Sequence, residues 1–68
     1  MVTLKEMETY FVIKTRVQDG RDTFSDAYSI EEFKTYPTDA QIQHEMTRWN
    51  LLYKACYASV EKRYRFVY

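Results

Sequence analysis

The order of hydrophobic patterns along the chain is the sequence feature that most constrains its fold. Two stretches of alternating apolar and polar residues, Tyr10–Val17 and Thr23–Ile30, flank the dipeptide Asp19-Gly20. A stretch with helical spacing, residues 38–56, comes next, and a third alternating stretch, Val60–Tyr68, ends the chain. Alternation with period two predicts half-buried strands, and recurrence every three or four residues predicts an amphipathic helix. The sequence therefore predicts a ββαβ domain of the α+β class.

The Asp-Gly dipeptide predicts how the first two strands pair. Asp-Gly favours a two-residue type I′ hairpin, because that turn needs positive φ at both central residues. Such a turn would place Val17 opposite Asp22 and Phe11 opposite Tyr28. The side chain of Tyr28 would then lie on the apolar core face, and Asp26 would be a polar misfit on the same face.

Two capping-box patterns follow the second strand. Residues 29–32 (Ser-Ile-Glu-Glu) predict a short helical turn, and residues 38–41 (Thr-Asp-Ala-Gln) predict the start of the main helix. We expect one face of that helix to pack on the sheet. The residues of this stripe are Ile42, Met46, Trp49, Leu52, Tyr53, Ala55 and Cys56.

The crossover through the helix predicts the strand order. A crossover through a helix returns the third strand parallel to the second, so beside the first strand it is antiparallel. This gives a three-stranded antiparallel sheet in the order 2-1-3, with the helix on one face and the other face open. The open face would display Tyr10, Val12, Lys14, Arg16, Arg63, Arg65 and Val67.

Length and composition limit the classes of function. A chain of 68 residues allows a single domain, residues 1–68, with one small core. His44 and Cys56, the only histidine and the only cysteine, would lie too far apart on one helix to form a dyad. One glycine cannot form a phosphate-binding loop, and no zinc-ligand spacing is present. We therefore predict no catalytic, cofactor-binding or metal-binding residues and no enzymatic activity.

Cysteine content and hydrophobicity also indicate the cellular compartment of the protein. A lone cysteine suits a reducing compartment. The sequence has no apolar run of the roughly 20 residues that a transmembrane helix needs, and its first residues lack a signal-peptide pattern. These observations predict a cytoplasmic protein that does not enter a membrane.

Binding is the class of function that remains, and two surfaces are candidates. The first combines acidic and aromatic residues of the second strand and the connector, which could dock on a basic protein surface. Its residues are Tyr28, Glu31, Glu32, Phe33 and Tyr36. The second is the open sheet face, whose basic groups beside an aromatic could follow a nucleic-acid backbone. Its residues are Lys14, Arg16, Arg63 and Arg65. A third interpretation is a homodimer formed through a strand edge or through the open face.

The segments 33–39 (FKTYPTD) and 60–64 (VEKRY) have the character of small uncharacterised phage and prophage proteins. The whole plan, a hairpin, a connector, one capped helix and a closing strand, is similar to such proteins. Among them are phage proteins that bind and inhibit host enzymes. The resemblance implies a phage-type accessory protein or inhibitor that acts by covering a partner's surface. The leading prediction is thus a non-enzymatic protein-binding module, and a nucleic-acid-binding protein is the alternative.

Overall fold

The computed structural model describes residues 6–67, which form three strands and one helix. In chain order these are β1 (Glu6–Gln18), β2 (Phe24–Tyr28), α1 (Asp39–Asn50) and β3 (Lys54–Val67). The strands form one antiparallel sheet in the order β2-β1-β3. The predicted ββαβ order, the α+β class and the strand order are therefore confirmed. The predicted last residue of the third strand, Tyr68, lies outside the described residues.

The central feature of the sheet is a long two-stranded ribbon. β1 pairs with β3 from the pair Glu6–Val67 at one end to the pair Gln18–Lys54 at the other. One irregularity, between Arg16 and Val17, interrupts the register. Both strands extend beyond the predicted ranges, because each added pair supplies backbone hydrogen bonds and cross-strand contacts to the ladder.

The predicted hairpin register is wrong, and the correction changes which side chains face the core. Five residues separate β1 from β2, and Gly20 does not have positive φ. Val17 consequently pairs with Ser25 instead of Asp22, a shift of three residues. Because an odd shift moves every side chain of a strand to the opposite face, Tyr28 lies on the open face. Asp26 is no misfit there, since it forms an ion pair with Arg16.

The helix begins as predicted and ends earlier than predicted. The Thr38 hydroxyl accepts a hydrogen bond from the Gln41 amide, and the Gln41 side chain accepts one from the Thr38 amide. This confirms the second capping box. The helix ends at Asn50, whose side-chain oxygen accepts a hydrogen bond from the Ala55 amide at the start of β3.

The early end of the helix overturns part of the predicted core stripe. Ile42, Met46 and Trp49 are half-buried, whereas Leu52 and Cys56 are exposed. Tyr53 is exposed as well. The reason is that residues from Lys54 onward extend the pairing with β1 instead of continuing the helix. The prediction of Cys56 as a buried hydrophobe is therefore wrong.

The core is small, and most of it lies on the face of β1 that packs against α1, although Val12, which is 3% exposed, is buried on the opposite face. Ile13 and Thr15 are fully buried on the face toward α1, and Val17 is 3% exposed. Glu45 of the helix is also buried, and its carboxylate accepts a hydrogen bond of 2.9 Å from the indole of Trp49. Hereafter the face toward α1 is called the helix side of the sheet, and the opposite face keeps the name open face.

Candidate protein-binding site

The connector between β2 and α1 is fixed against the edge of β1. The Ser29 amide donates to the Ile13 carbonyl at 2.9 Å, and the Ser29 hydroxyl accepts from the Ile13 amide at 3.0 Å. Further along, Phe33 exchanges two backbone hydrogen bonds with Phe11, of 2.7 and 2.9 Å. The predicted helical turn at residues 29–32 is wrong, because these bonds satisfy the edge of β1 instead. The connector is therefore held in one conformation although it is neither helix nor regular strand.

A shallow cavity opens between this connector and the first half of α1. Its volume is about 200 Å³. The lining residues are Glu31, Phe33, Ala40, Gln41, His44 and Glu45. The Phe33 ring and the Ala40 methyl give it apolar walls, and the exposed carboxylate of Glu31 adds a negative charge. Such a combination suits an apolar side chain that has a basic group beside it.

Two apolar side chains of the connector are strongly exposed. Ile30 is 78% exposed and Tyr36 is 65% exposed. The Tyr36 ring meets the Phe11 ring edge to face, with centroids 5.7 Å apart, so its position is set by packing on the helix side. Sequence reasoning missed Ile30, because the capping-box interpretation of residues 29–32 gave it no role.

The structure divides the predicted protein-binding residues between the two faces. Glu31, Phe33 and Tyr36 lie together in the connector, and Glu31 and Phe33 also line the cavity. Tyr28 and Glu32 lie on the open face instead. There the Tyr28 ring stacks with the Arg63 guanidinium at 4.6 Å, and the Glu32 carboxylate pairs with Arg65 at 2.8 Å. Their predicted grouping with the other three is therefore wrong.

The predicted nucleic-acid-binding residues do lie together on the open face. Lys14 and Arg16 on β1 alternate onto the same face as Arg63 and Arg65 on β3. Arg16 pairs with Asp26 at 3.2 Å. Its guanidinium also lies 5.6 Å from the Phe24 ring.

Arg65 is the most heavily engaged of these cations. It donates to Glu8 at 3.0 Å and to Glu32 at 2.8 Å, and it lies 4.5 Å from the Tyr10 ring. The hydrogen bonds to Glu8 and Glu32 raise the pKa of Arg65, and its bond and charge lower the pKa of the Glu8 carboxyl. Glu61 likewise raises the pKa of Arg63, chiefly through a hydrogen bond.

Charge on the open face is balanced as a consequence. Among residues 6–67, five cations face five carboxylates there. The cations are Lys14, Arg16, Lys54, Arg63 and Arg65, and the carboxylates are Glu6, Glu8, Asp26, Glu32 and Glu61. Nucleic-acid affinity depends on uncompensated cations that replace counterions on phosphates. Among residues 6–67, only Lys14 and Lys54 of these five cations lack an ion pair, so the arrangement does not favour this alternative.

No group of three or more His, Cys, Asp and Glu side chains within residues 6–67 is arranged to hold a metal ion. In the same part of the chain, no helix has the length and apolar character needed to cross a membrane. No protein-family model, curated protein or solved structure matches the chain.

Proposed function

We propose that the protein is a non-enzymatic binding module that covers part of a partner protein's surface. The observation that carries this proposal is the connector, which is hydrogen-bonded to β1 while Ile30 and Tyr36 remain largely exposed. Apolar side chains on a fixed backbone lose little conformational entropy on binding, so they contribute efficiently to affinity. The sequence resemblance to small phage proteins favours a phage-type accessory protein or inhibitor.

The cavity beside the connector supports a proposal for the chemistry of the partner. Its apolar walls and the Glu31 carboxylate fit an apolar side chain that is followed or preceded by lysine or arginine. Tyr36 and Ile30 would cover neighbouring apolar surface, since exposed aromatic and aliphatic anchors dominate the energetics of protein interfaces. The partner is therefore expected to present a basic and apolar surface.

Capture from a bacterial lysate, with and without nuclease, tests this proposal. The tagged wild type should retain a protein after nuclease treatment. Tyr36→Ser and Glu31→Lys should each weaken the capture at least about tenfold, as expected for central interface residues. Leu52→Ser is the matched control, because Leu52 is 71% exposed but lies outside the connector.

Two outcomes would contradict the proposal. One is capture that is lost on nuclease treatment, which would indicate a nucleic-acid partner. The other is protein capture that Tyr36→Ser and Glu31→Lys leave unchanged, which would place the working surface elsewhere. Glu32 is unsuitable for the charge-reversal test, because its carboxylate pairs with Arg65 and its loss would disturb the sheet.

A further inference from the structure

The cavity between the connector and α1 contains a buried carboxylate that the proposed function does not use. Glu45 lines this cavity and is only 6% exposed, so its side chain is largely removed from water. Glu31 lines the same cavity and is exposed. Carboxylates are therefore present both at the rim of the cavity and in its buried wall.

Within residues 6–67, the Glu45 carboxylate has one polar partner and no cation. Its oxygen Oε1 accepts the hydrogen bond from the indole of Trp49 at 2.9 Å, and the carboxylate takes part in no ion pair. The other oxygen is not sealed off, because Oγ1 of Thr15 is the only inaccessible side-chain polar atom without a partner in that part of the chain. One carboxylate oxygen of Glu45 is thus available to an occupant of the cavity.

The charge of Glu45 determines which occupants are compatible with the cavity. An apolar side chain alone would seal the carboxylate from water without a counter-charge, and burying an uncompensated charge is costly. A metal ion does not fit, because no acidic, histidine and cysteine side chains of the described residues form a group of three or more that could hold one. None of the lining residues is lysine or arginine. An organic cation therefore matches the cavity, since it pairs with a charge that the chain itself leaves unpaired.

Lysine fits this arrangement better than arginine does. The planar guanidinium of arginine binds a carboxylate through two parallel hydrogen bonds, which need both oxygens. In Glu45 one oxygen is already occupied by Trp49. The ammonium of lysine is a compact charge that needs a single oxygen, and its four-carbon stem is apolar. Phe33 and Ala40 supply apolar walls for such a stem.

We propose that the cavity is a binding site for a lysine side chain, whose ammonium pairs with Glu45 and whose stem lies against Phe33 and Ala40. The exposed carboxylate of Glu31 adds a second negative charge that attracts the cation. The inference rests on the proposed function for the source of the lysine, which is the surface of the partner protein. It refines the occupant of the cavity, because the apolar walls receive the stem of the lysine itself.

A nuclear magnetic resonance titration of the whole chain tests the site with a lysine analogue. The probe is N-acetyl-lysine methylamide, and the matched control is N-acetyl-norleucine methylamide, which has the same four-carbon stem without the ammonium. At constant ionic strength, the lysine probe should shift the amide resonances of His44 and Glu45 and saturate with a Kd in the millimolar range, as expected for a fragment of this size. The norleucine probe should bind at least about tenfold more weakly.

Two charge-neutralising variants locate the group that binds the ammonium. Glu45→Gln keeps the shape of the side chain and an oxygen for the Trp49 indole, and it should weaken binding of the lysine probe at least about tenfold. Asp22→Asn is the matched control, because it removes the same charge from an exposed residue that does not line the cavity, and it should leave binding unchanged. Circular dichroism would establish that both variants are folded. The comparison of the two probes uses the wild type alone and does not depend on either variant.

Three results would overturn the inference. The first is a wild type whose resonances do not approach saturation with the lysine probe up to about 20 mM. The second is equal affinity for the lysine and norleucine probes, and the third is equal binding of the lysine probe by Glu45→Gln and Asp22→Asn.

The lysate capture separates this inference from the proposed function. Capture that Tyr36→Ser weakens and Glu45→Gln leaves unchanged would uphold the binding module and overturn the lysine site. Binding of the lysine probe without capture of any protein would uphold the lysine site and contradict the binding module.

Discussion

The guanidinium carbon of Arg63 lies 4.6 Å from the centroid of the Tyr28 ring. Arg63 belongs to β3 and Tyr28 to β2, so their contact passes over the middle strand β1. Their partners on β1 are Tyr10 and Lys14, and Val12, midway between these, is only 3% exposed. A cation–π contact thus shields a core valine on the face that carries no helix.

The contact between Arg63 and Tyr28 predicts that the two side chains contribute to stability in a coupled way. Tyr28→Leu and Arg63→Gln should each lower the free energy of unfolding, because each exposes Val12. The double variant should lose less than the sum of the two losses, since the contact can be removed only once. Urea unfolding of the wild type, the two single variants and the double variant measures the coupling.

Arg48→Gln provides the control for that cycle. Arg48 lies in the last turn of α1, on the helix side of the sheet, and should combine additively with Tyr28→Leu. Additive losses for Tyr28 and Arg63 themselves would show that the contact does not contribute to stability.

Thr15 predicts a stabilising substitution in the core. The residue is fully buried, and its hydroxyl has no hydrogen-bond partner among residues 6–67. A buried hydroxyl without a partner loses its bonds to water without compensation. Thr15→Val replaces it with a methyl group of the same shape and should raise the free energy of unfolding by about 1 kcal/mol. Chemical denaturation measures the difference.

Thr9→Val is the matched control for Thr15→Val. Thr9 lies on the same face of β1 and is only half-buried. Its hydroxyl can reach water, so the substitution should change stability little. A loss of stability in Thr15→Val would mean that the hydroxyl has a partner in solution.

The elements that the sequence predicts correctly depend on local patterns. Alternation identified all three strands, and the reciprocal bonds of Thr38 and Gln41 follow from the pattern of a capping box alone. The strand order followed from the crossover, which returns β3 parallel to β2, and from placing β3 beside β1, so that the most apolar strand is central. The residues that β1 and β3 place on the open face were predicted correctly, because alternation continues through both strands in that region, but Val12, which was predicted to be displayed, is only 3% exposed.

The elements that were predicted wrongly depend on competition between local and distant interactions. Asp19-Gly20 favours a tight turn, yet Asp19 instead bonds to Thr23 and Ser25 within a longer loop. Helical spacing continued to Cys56, but pairing with β1 began at Lys54. No local sequence pattern indicates which of these interactions is stronger. The predicted grouping of the protein-binding residues was wrong for the same reason. The three-residue shift in the register of β2 is enough to place Tyr28 on the open face.

The cap of α1 supports a prediction about the helix. The Thr38 hydroxyl satisfies the amide of Gln41, which has no partner within the helix. Thr38→Ala should therefore lower the free energy of unfolding by about 1 kcal/mol, measured in urea. Thr35→Ala, an exposed connector residue, is the control and should have little effect. Equal effects of the two substitutions would contradict a role for the cap.

The Glu8–Arg65 pair predicts how stability depends on pH. Arg65 holds the pKa of the Glu8 carboxyl below its ordinary value of 4.5, so the folded state favours the ionised form. The stabilisation is then fully present above pH 4.5 and is lost as the pH falls through the lower, folded-state pKa. Thermal unfolding at several pH values should show a smaller acid-induced loss in Glu8→Gln than in the wild type. Glu6→Gln removes the same charge from the same strand and measures the effect of net charge alone. Identical acid dependence in Glu8→Gln and the wild type would show that the ion pair does not form in solution.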